Sequence, residues 1–160
     1  MSVRAGIGYD CHRLVAGRRL LLGGVEIAHD RGLAGHSDAD VLVHAVIDAL
    51  LGAAGLGDIG EHFPDTEERW RDADSLALLA RVVEMLAGAG LQVLNVDCTV
   101  VLERPRLAPH RIAIREQLAG TLGLALERVN VKATTGEGMG FVGRGEGVAA
   151  LAIANLAEPA

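Results

Sequence analysis

The chain has 160 residues, length for one core-bearing domain over residues 1–160, with half its residues apolar and a formal net charge of −6. It carries no Lys/Arg tract, no basic-plus-apolar leader and no apolar run near ~20 residues, which argues against nucleic-acid and membrane partners and for a soluble, cytoplasmic protein. Cys11 and Cys98 stand far apart without a Cys-x-x-Cys pair, so a reducing compartment fits better than a disulfide framework.

The only aromatic residues are Tyr9, Phe63, Trp70 and Phe141, so the core must be built from Ala, Val, Leu and Ile. Residues 3–10 read as a strand ending in Asp10-Cys11-His12. Side chains alternate along a strand, so Asp10 and His12 share a face and Cys11 points away and should not join them. Arg19 to Ile27 suggests a second strand, bulged or kinked at Gly23-Gly24. A polar stretch, His29 to Gly35, follows. Ser37 then offers an N-cap with Asp40 three residues on, and a helix runs to about Leu51 and stops at Gly52. This helix is apolar around nearly its whole circumference and must be buried on most sides. Asp40, His44 and Asp48, spaced by four, interrupt it as one stripe, and buried charge of that kind needs partners.

Residues 52–73 form a long Gly- and charge-rich connection of the sort that often binds or covers a ligand. Asp74 or Ser75 caps a second helix over Leu76 to Ala87, ended by Gly88 and Gly90. From Leu91 to Glu103 the period is two, with Leu94, Val96, Cys98, Val100 and Leu102 on one face. A third helix is expected from about His110 to Leu122, then a strand over Val129 to Thr134 and a Gly-rich loop from Gly136 to Gly147. Val148 to Leu156 fits strand or helix by periodicity, and a strand at the end of the sheet is the favoured reading. The whole reads as α+β, a two-layer sandwich with a mixed β-sheet and three main helices on one face.

Asp10-x-His12 taken alone reads as a hydrogen-bonded structural pair, and His44 alone as a satisfied core histidine. Together they would make an Asp/His/His set with an open fourth position, the pattern of catalytic zinc. His36 competes with His12 for ligation. Its place at the helix entry, near free amides and the positive dipole end, suits an anion better. Asp40 taken alone reads equally as a simple cap. Gly6-x-Gly8 lacks the third glycine of a dinucleotide fingerprint and leads into no helix. Lys132-Ala133-Thr134-Thr135 followed by glycines offers hydroxyls and amides as a phosphate cradle. Glu137 in such a cradle makes sense if a cation such as Mg²⁺ stands between it and the phosphates.

Several separated blocks carry a resemblance across essentially the whole chain: Gly8-Tyr9-Asp10-Cys11-His12-Arg13, His36-Ser37-Asp38-Ala39-Asp40 through Ala45, Gly57-Asp58-Ile59-Gly60, Phe63-Pro64-Asp65-Thr66, Asn95-Val96-Asp97, Lys132 to Thr135, and Gly140 to Gly147. In this order the sequence resembles the 2-C-methyl-D-erythritol 2,4-cyclodiphosphate synthase family of the non-mevalonate isoprenoid pathway. The resemblance implies a phosphorus–oxygen lyase in which the substrate's own 2-phosphate attacks its β-phosphorus and expels CMP. It implies Asp10, His12 and His44 as ligands of one Zn²⁺ per subunit and Glu137 as ligand of Mg²⁺ or Mn²⁺. His36 and Thr135 would stabilise the transition state. Ser37, Asp58, Ile59, Gly60, Phe63, Pro64, Asp65, Thr66 and Glu67 would hold the methylerythritol phosphate. Leu102, Glu103, Arg104, Pro105, Arg106, Leu107 and Thr134 would line the cytidine pocket, with Gly136 beside them. The family is a homotrimer with active sites between subunits, and Phe141, Arg144 and Glu146 would line its central cavity. Gly136 and Gly138 depart from bulkier residues, and Leu102-Glu103-Arg104 from smaller or uncharged ones. The rival readings are a metal-dependent phosphohydrolase and a non-catalytic nucleotide-binding module.

Overall fold

The first strand runs well beyond its expected end in the computed structural model, which describes residues 1–158: β1 covers Ser2–Ala16, so Asp10 and His12 lie within a strand. Arg19 to Ile27, expected as one kinked strand, is instead a hairpin of β2 (Leu20–Leu22) and β3 (Val25–Ile27). Gly23 and Gly24 form its turn at φ 61° and 76°, a left-handed backbone that turns the chain fully back and that only glycine adopts without cost. The stretch expected to be only polar connection holds a further short strand, β4 (Arg31–Leu33).

The buried helix, α1, spans Val41–Ala54 and is shifted from its expected position. Its N-cap is Asp40, whose side chain accepts from the Val43 amide, and its C-cap is Gly55; Ser37 and Gly52 do neither job. Asp40 wins because its carboxylate also accepts from the Gly23 and Gly24 amides at 2.9 and 2.7 Å, tying the hairpin turn to the helix start. The long connection after α1 contains α2 (Ile59–His62) and a 3-10 turn at Glu68–Trp70. Helix α3 (Ser75–Gly88) is capped by Asp74. Then come β5 (Gln92–Val101), α4 (Arg111–Leu122), β6 (Val129–Thr134), the single turn α5 (Gly140–Gly143) and β7 (Gly147–Glu158).

Five strands form one mixed sheet in the order β4-β1-β7-β5-β6, antiparallel except for the β5–β6 pair. The last strand is thus a central one, paired on both sides, and not an end strand of the sheet. A register shift between Val93 and Asn95 in β5 buries Val93 and leaves Leu94 off the core face, against the simple alternation. Helices α1, α3 and α4 cover one face of the sheet. The core is aliphatic throughout, with Leu20, Leu42, Ile47, Leu50, Leu79, Ile114 and Leu118 fully buried.

Helix α1 lies directly against β1, and the glycines there explain how. A Cβ on Gly8 would sit 1.8 Å from the Ala45 carbonyl oxygen, and one on Gly6 would sit 2.0 Å from that of Ala49. Gly6-x-Gly8, no phosphate loop, is a packing seam, matched by Ala45, Ala49 and Ala53 at i, i+4 and i+8 on the helix. That seam brings His44 to Asp10 and His12. On the other side of the sheet, Val3, Ile7, Tyr9, Leu151 and Ile153 are exposed, and the register pairs Ile7 with Ile153 and Tyr9 with Leu151. They form one contiguous apolar patch.

Candidate metal centre and active site

Asp10 and His12 project from β1 toward α1, where His44 meets them one turn after the cap. Asp10 Oδ2 lies 2.8 Å from His12 Nε2 and 3.1 Å from His44 Nδ1, and the two ring nitrogens lie 3.3 Å apart. A tetrahedral zinc with bonds of about 2.0–2.1 Å holds its ligand atoms about 3.3 Å from one another, so the triangle has the right size. Among the described residues these three form the one such cluster of His, Cys, Asp and Glu. Cys11 is exposed on the opposite face and takes no part.

The tautomers suit a cation as well. His12 Nδ1 lies 2.8 Å from the Ala34 carbonyl, which can only accept, so Nδ1 carries the proton and Nε2 offers its lone pair to the centre. Burial opposes ionisation of Asp10, but without a metal His12 Nε2 and His44 Nδ1 can carry protons toward the carboxylate, and those hydrogen bonds outweigh burial and hold the carboxyl at about 2. Burial also opposes protonation of His12, and the Asp10 carboxylate more than reverses this, raising its pKa. An ionised oxygen ligand beside two imidazoles can hold a divalent cation.

The triangle forms the floor of a cavity of about 310 Å³. Its walls are His36, Ser37, Ile59, Gly60, Phe63, Pro64, Asp65 and Thr66, all expected from the sequence, together with Trp70 and Leu78, which were not. Trp70 stands edge-on to Phe63, with ring centroids 5.0 Å apart, and Arg69 and Arg81 flank its indole at 4.7 and 5.5 Å. A lone tryptophan in a long polar connection was the available signal for it. His36 lines the cavity, but not at open helix amides, because Asp40 fills the start of α1. Asp48 accepts from the Ile59 amide at 2.8 Å and so fixes the Ile59–Gly60 wall, which accounts for the third member of the helical stripe. Asp58 caps α2 through the Glu61 amide and does not line the cavity, nor does Glu67.

The remaining candidates lie elsewhere in the chain. Registers place Cys11, Ala149, Val101 and Thr134 in one row across four strands, so Thr134 is about 14 Å from β1 and on the sheet face opposite Asp10 and His12. Thr135, Gly136 and Glu137 follow it and do not line the cavity. The Glu103 carboxylate accepts from the Gly136 amide, clamping this loop to the Leu102–Leu107 segment. Glu137 is exposed, at φ 53°, and its amide donates to Thr135 Oγ1. Glu103 and Arg104 share a second cavity, of about 400 Å³, with His29, Arg31 and Arg144. One chain therefore holds the expected site residues in two separate groups, one lining the cavity at the triangle and one outside it.

Residues 3–157 match the YgbB family. The 2-C-methyl-D-erythritol 2,4-cyclodiphosphate synthase of Salinibacter ruber is 63% identical over 154 residues, covering 96% of this chain and 98% of that protein. Among solved structures, a CDP-bound 2C-methyl-D-erythritol-2,4-cyclodiphosphate synthase aligns with a TM-score of 0.89 at 39% identity, over 96% of this chain and all of that one. The bifunctional IspDF of Campylobacter jejuni aligns with a TM-score of 0.94 at 44% identity, over 97% of this chain and 42% of that longer one.

Proposed function

The chain belongs to the YgbB family, and from that membership we propose that it converts 4-diphosphocytidyl-2-C-methyl-D-erythritol 2-phosphate to 2-C-methyl-D-erythritol 2,4-cyclodiphosphate and CMP. It is a lyase of isoprenoid precursor synthesis. The observation that carries the reading is the Asp10/His12/His44 triangle at the floor of a cavity, in a chain so similar to named synthases over its full length.

The reaction needs no protein nucleophile, because the attacking 2-phosphate belongs to the substrate. The protein must hold the two phosphate ends in line and offset their charge. Asp10, His12 and His44 would hold Zn²⁺, and Glu137, an exposed hard carboxylate beside a hydroxyl-rich turn, would hold Mg²⁺ or Mn²⁺ with the phosphates. When bound, these cations supply positive charge to the phosphoryl oxygens. His36 and Ser37 face the same cavity and donate to the phosphate next to the triangle, while Ile59, Gly60 and the Phe63–Thr66 segment enclose the methylerythritol. Thr135 steadies the diphosphate, and Leu102–Leu107 with Thr134 receives the cytidine.

The two halves come together between subunits of a homotrimer. Support comes from the roughly 14 Å that separates Thr134 from β1 in one chain and from the apolar patch on the uncovered sheet face, which would face the trimer interior. Phe141 and Arg144 would stand near its axis. No helix among the described residues is long and apolar enough to cross a membrane. Incubation with the diphosphocytidyl substrate, Zn²⁺ and Mg²⁺ tests the proposal. CMP and the cyclic diphosphate are expected, and a linear phosphate in place of the ring would assign a phosphohydrolase instead.

A further inference from the structure

His44 uses Nδ1 toward Asp10 and His12, which leaves Nε2 pointing away from the centre. Two serine hydroxyls meet it there: Ser75 Oγ at 2.8 Å and Ser37 Oγ at 3.2 Å. They are not equivalent. Ser75 is fully buried, and its hydroxyl donates to Asp38 Oδ1. A hydroxyl has one proton, so with that proton given to Asp38 its oxygen can only accept from His44. His44 Nε2 must then carry the imidazole proton, and Nδ1 keeps its lone pair for a metal.

Asp38 is itself held firmly. Its Oδ2 accepts from the Ser75 amide at 2.9 Å, its Oδ1 also accepts from the Asp40 amide at 3.1 Å, and its own amide donates to the Ala73 carbonyl at 3.1 Å. The carboxylate thus joins the start of α3 to the loop that leads into α1. Ser37 lies on the cavity wall and is the longer contact, so its hydroxyl is free to turn to a ligand without releasing the His44 ring.

We propose that Asp38 and Ser75 are positioning residues, a carboxylate–hydroxyl relay that fixes the orientation and tautomer of His44 for metal binding while Ser37 serves the substrate. The inference rests on the reading of Asp10, His12 and His44 as metal ligands. Hydrogen-bond partners behind a metal-bound histidine typically matter by about 10–100-fold in metal affinity.

The test is Zn²⁺ affinity by competition with a chromophoric chelator, and the visible absorption of the Co²⁺-substituted protein. Wild type is compared with Ser75→Ala, Asp38→Ala, their double variant and Ser75→Thr, with circular dichroism of each reporting folding. Ser75→Ala should weaken Zn²⁺ binding about 10–100-fold and alter the Co²⁺ spectrum. The double variant should be little worse than Ser75→Ala, because both changes cut one relay, and Ser75→Thr should restore most of the affinity by returning the hydroxyl. Should Ser75→Ala misfold, Asp38→Ala with Ser75 in place carries the same expectation. A folded Ser75→Ala protein with wild-type Zn²⁺ affinity and Co²⁺ spectrum overturns the relay alone. A wild-type protein that holds no Zn²⁺ overturns the ligand reading and the relay with it.

Discussion

Gly8→Ala puts the dependence of the metal centre on backbone packing to the test. The new Cβ would lie 1.8 Å from the Ala45 carbonyl oxygen and 2.8 Å from the Ala45 carbonyl carbon and the Ala49 nitrogen. Real Cβ contacts do not fall below 3.0 Å, so α1 must retreat from β1 by about 1.2 Å. The obstacle is helix backbone, which cannot rotate aside as a side chain can. His44 immediately precedes Ala45 and moves with it, whereas Asp10 and His12 stay on β1. The distance from His44 Nδ1 to Asp10 Oδ2 would grow from 3.1 Å to about 4 Å. Metal–ligand distances tolerate about 0.2 Å, so His44 leaves the centre. Overpacking of this seam should cost about 1–3 kcal/mol in stability as well. Metal analysis after gel filtration, with thermal unfolding alongside, reads both effects. The expected result is a folded protein with a lower Tm and Zn²⁺ content well below one per chain. Wild-type Zn²⁺ content and Tm would refute the argument that the glycine seam sets the ligand triangle.

Asp40→Ala removes the α1 cap and orphans the Gly23 and Gly24 amides, a loss of about 3–5 kcal/mol, which for a chain of this size is a fall in Tm of about 6–20 °C. A shift below about 2 °C would show that those amides find other partners. In metal-free protein the Asp10–His12 pair should matter most between about pH 4 and 6.5. The depressed Asp10 pKa contributes stability above its ordinary 3.8 that is lost as pH falls toward 2, and the raised His12 pKa contributes below its ordinary 6.5 and is lost as pH rises. Urea unfolding of wild type against Asp10→Asn should therefore show a difference of about 1–2 kcal/mol, after solvent screening, at pH 5 that shrinks at pH 3 and pH 8; a flat difference contradicts the pairing. Glu137→Gln should raise the Mg²⁺ needed for half-maximal rate about tenfold without altering Zn²⁺ content, and an unchanged Mg²⁺ titration removes Glu137 from that role. Ile7→Lys puts a charge in the apolar sheet patch and should yield smaller particles by sedimentation with unchanged circular dichroism, whereas an intact assembly would place the interface elsewhere.

Much of the molecule was legible because its signals are local. Alternating and 3.6-residue patterns located the strands and main helices, and the cost of burying an unpartnered imidazole made His44 conspicuous in an otherwise apolar helix. That Asp10 and His12 share a face followed from strand alternation alone, as did the outward placement of Cys11. What failed in the sequence reading depended on partners distant along the chain. Asp40 displaced Ser37 as the cap because it also satisfies Gly23 and Gly24, a turn 16 residues away. Strand β7 became central because strand order is decided by which edges find hydrogen-bond partners, which periodicity does not encode. Ser75 looked like a cap for α3 and proved to stand against His44, since only the packing of α3 on α1 brings them together. Tertiary structure likewise separated the cavity at the triangle from Thr134, which lies about 14 Å from β1 on the other face of the sheet. Residue types and spacing determined which chemistry the chain can carry; the close approach of α1 to β1, permitted by two glycines, decided where that chemistry is assembled.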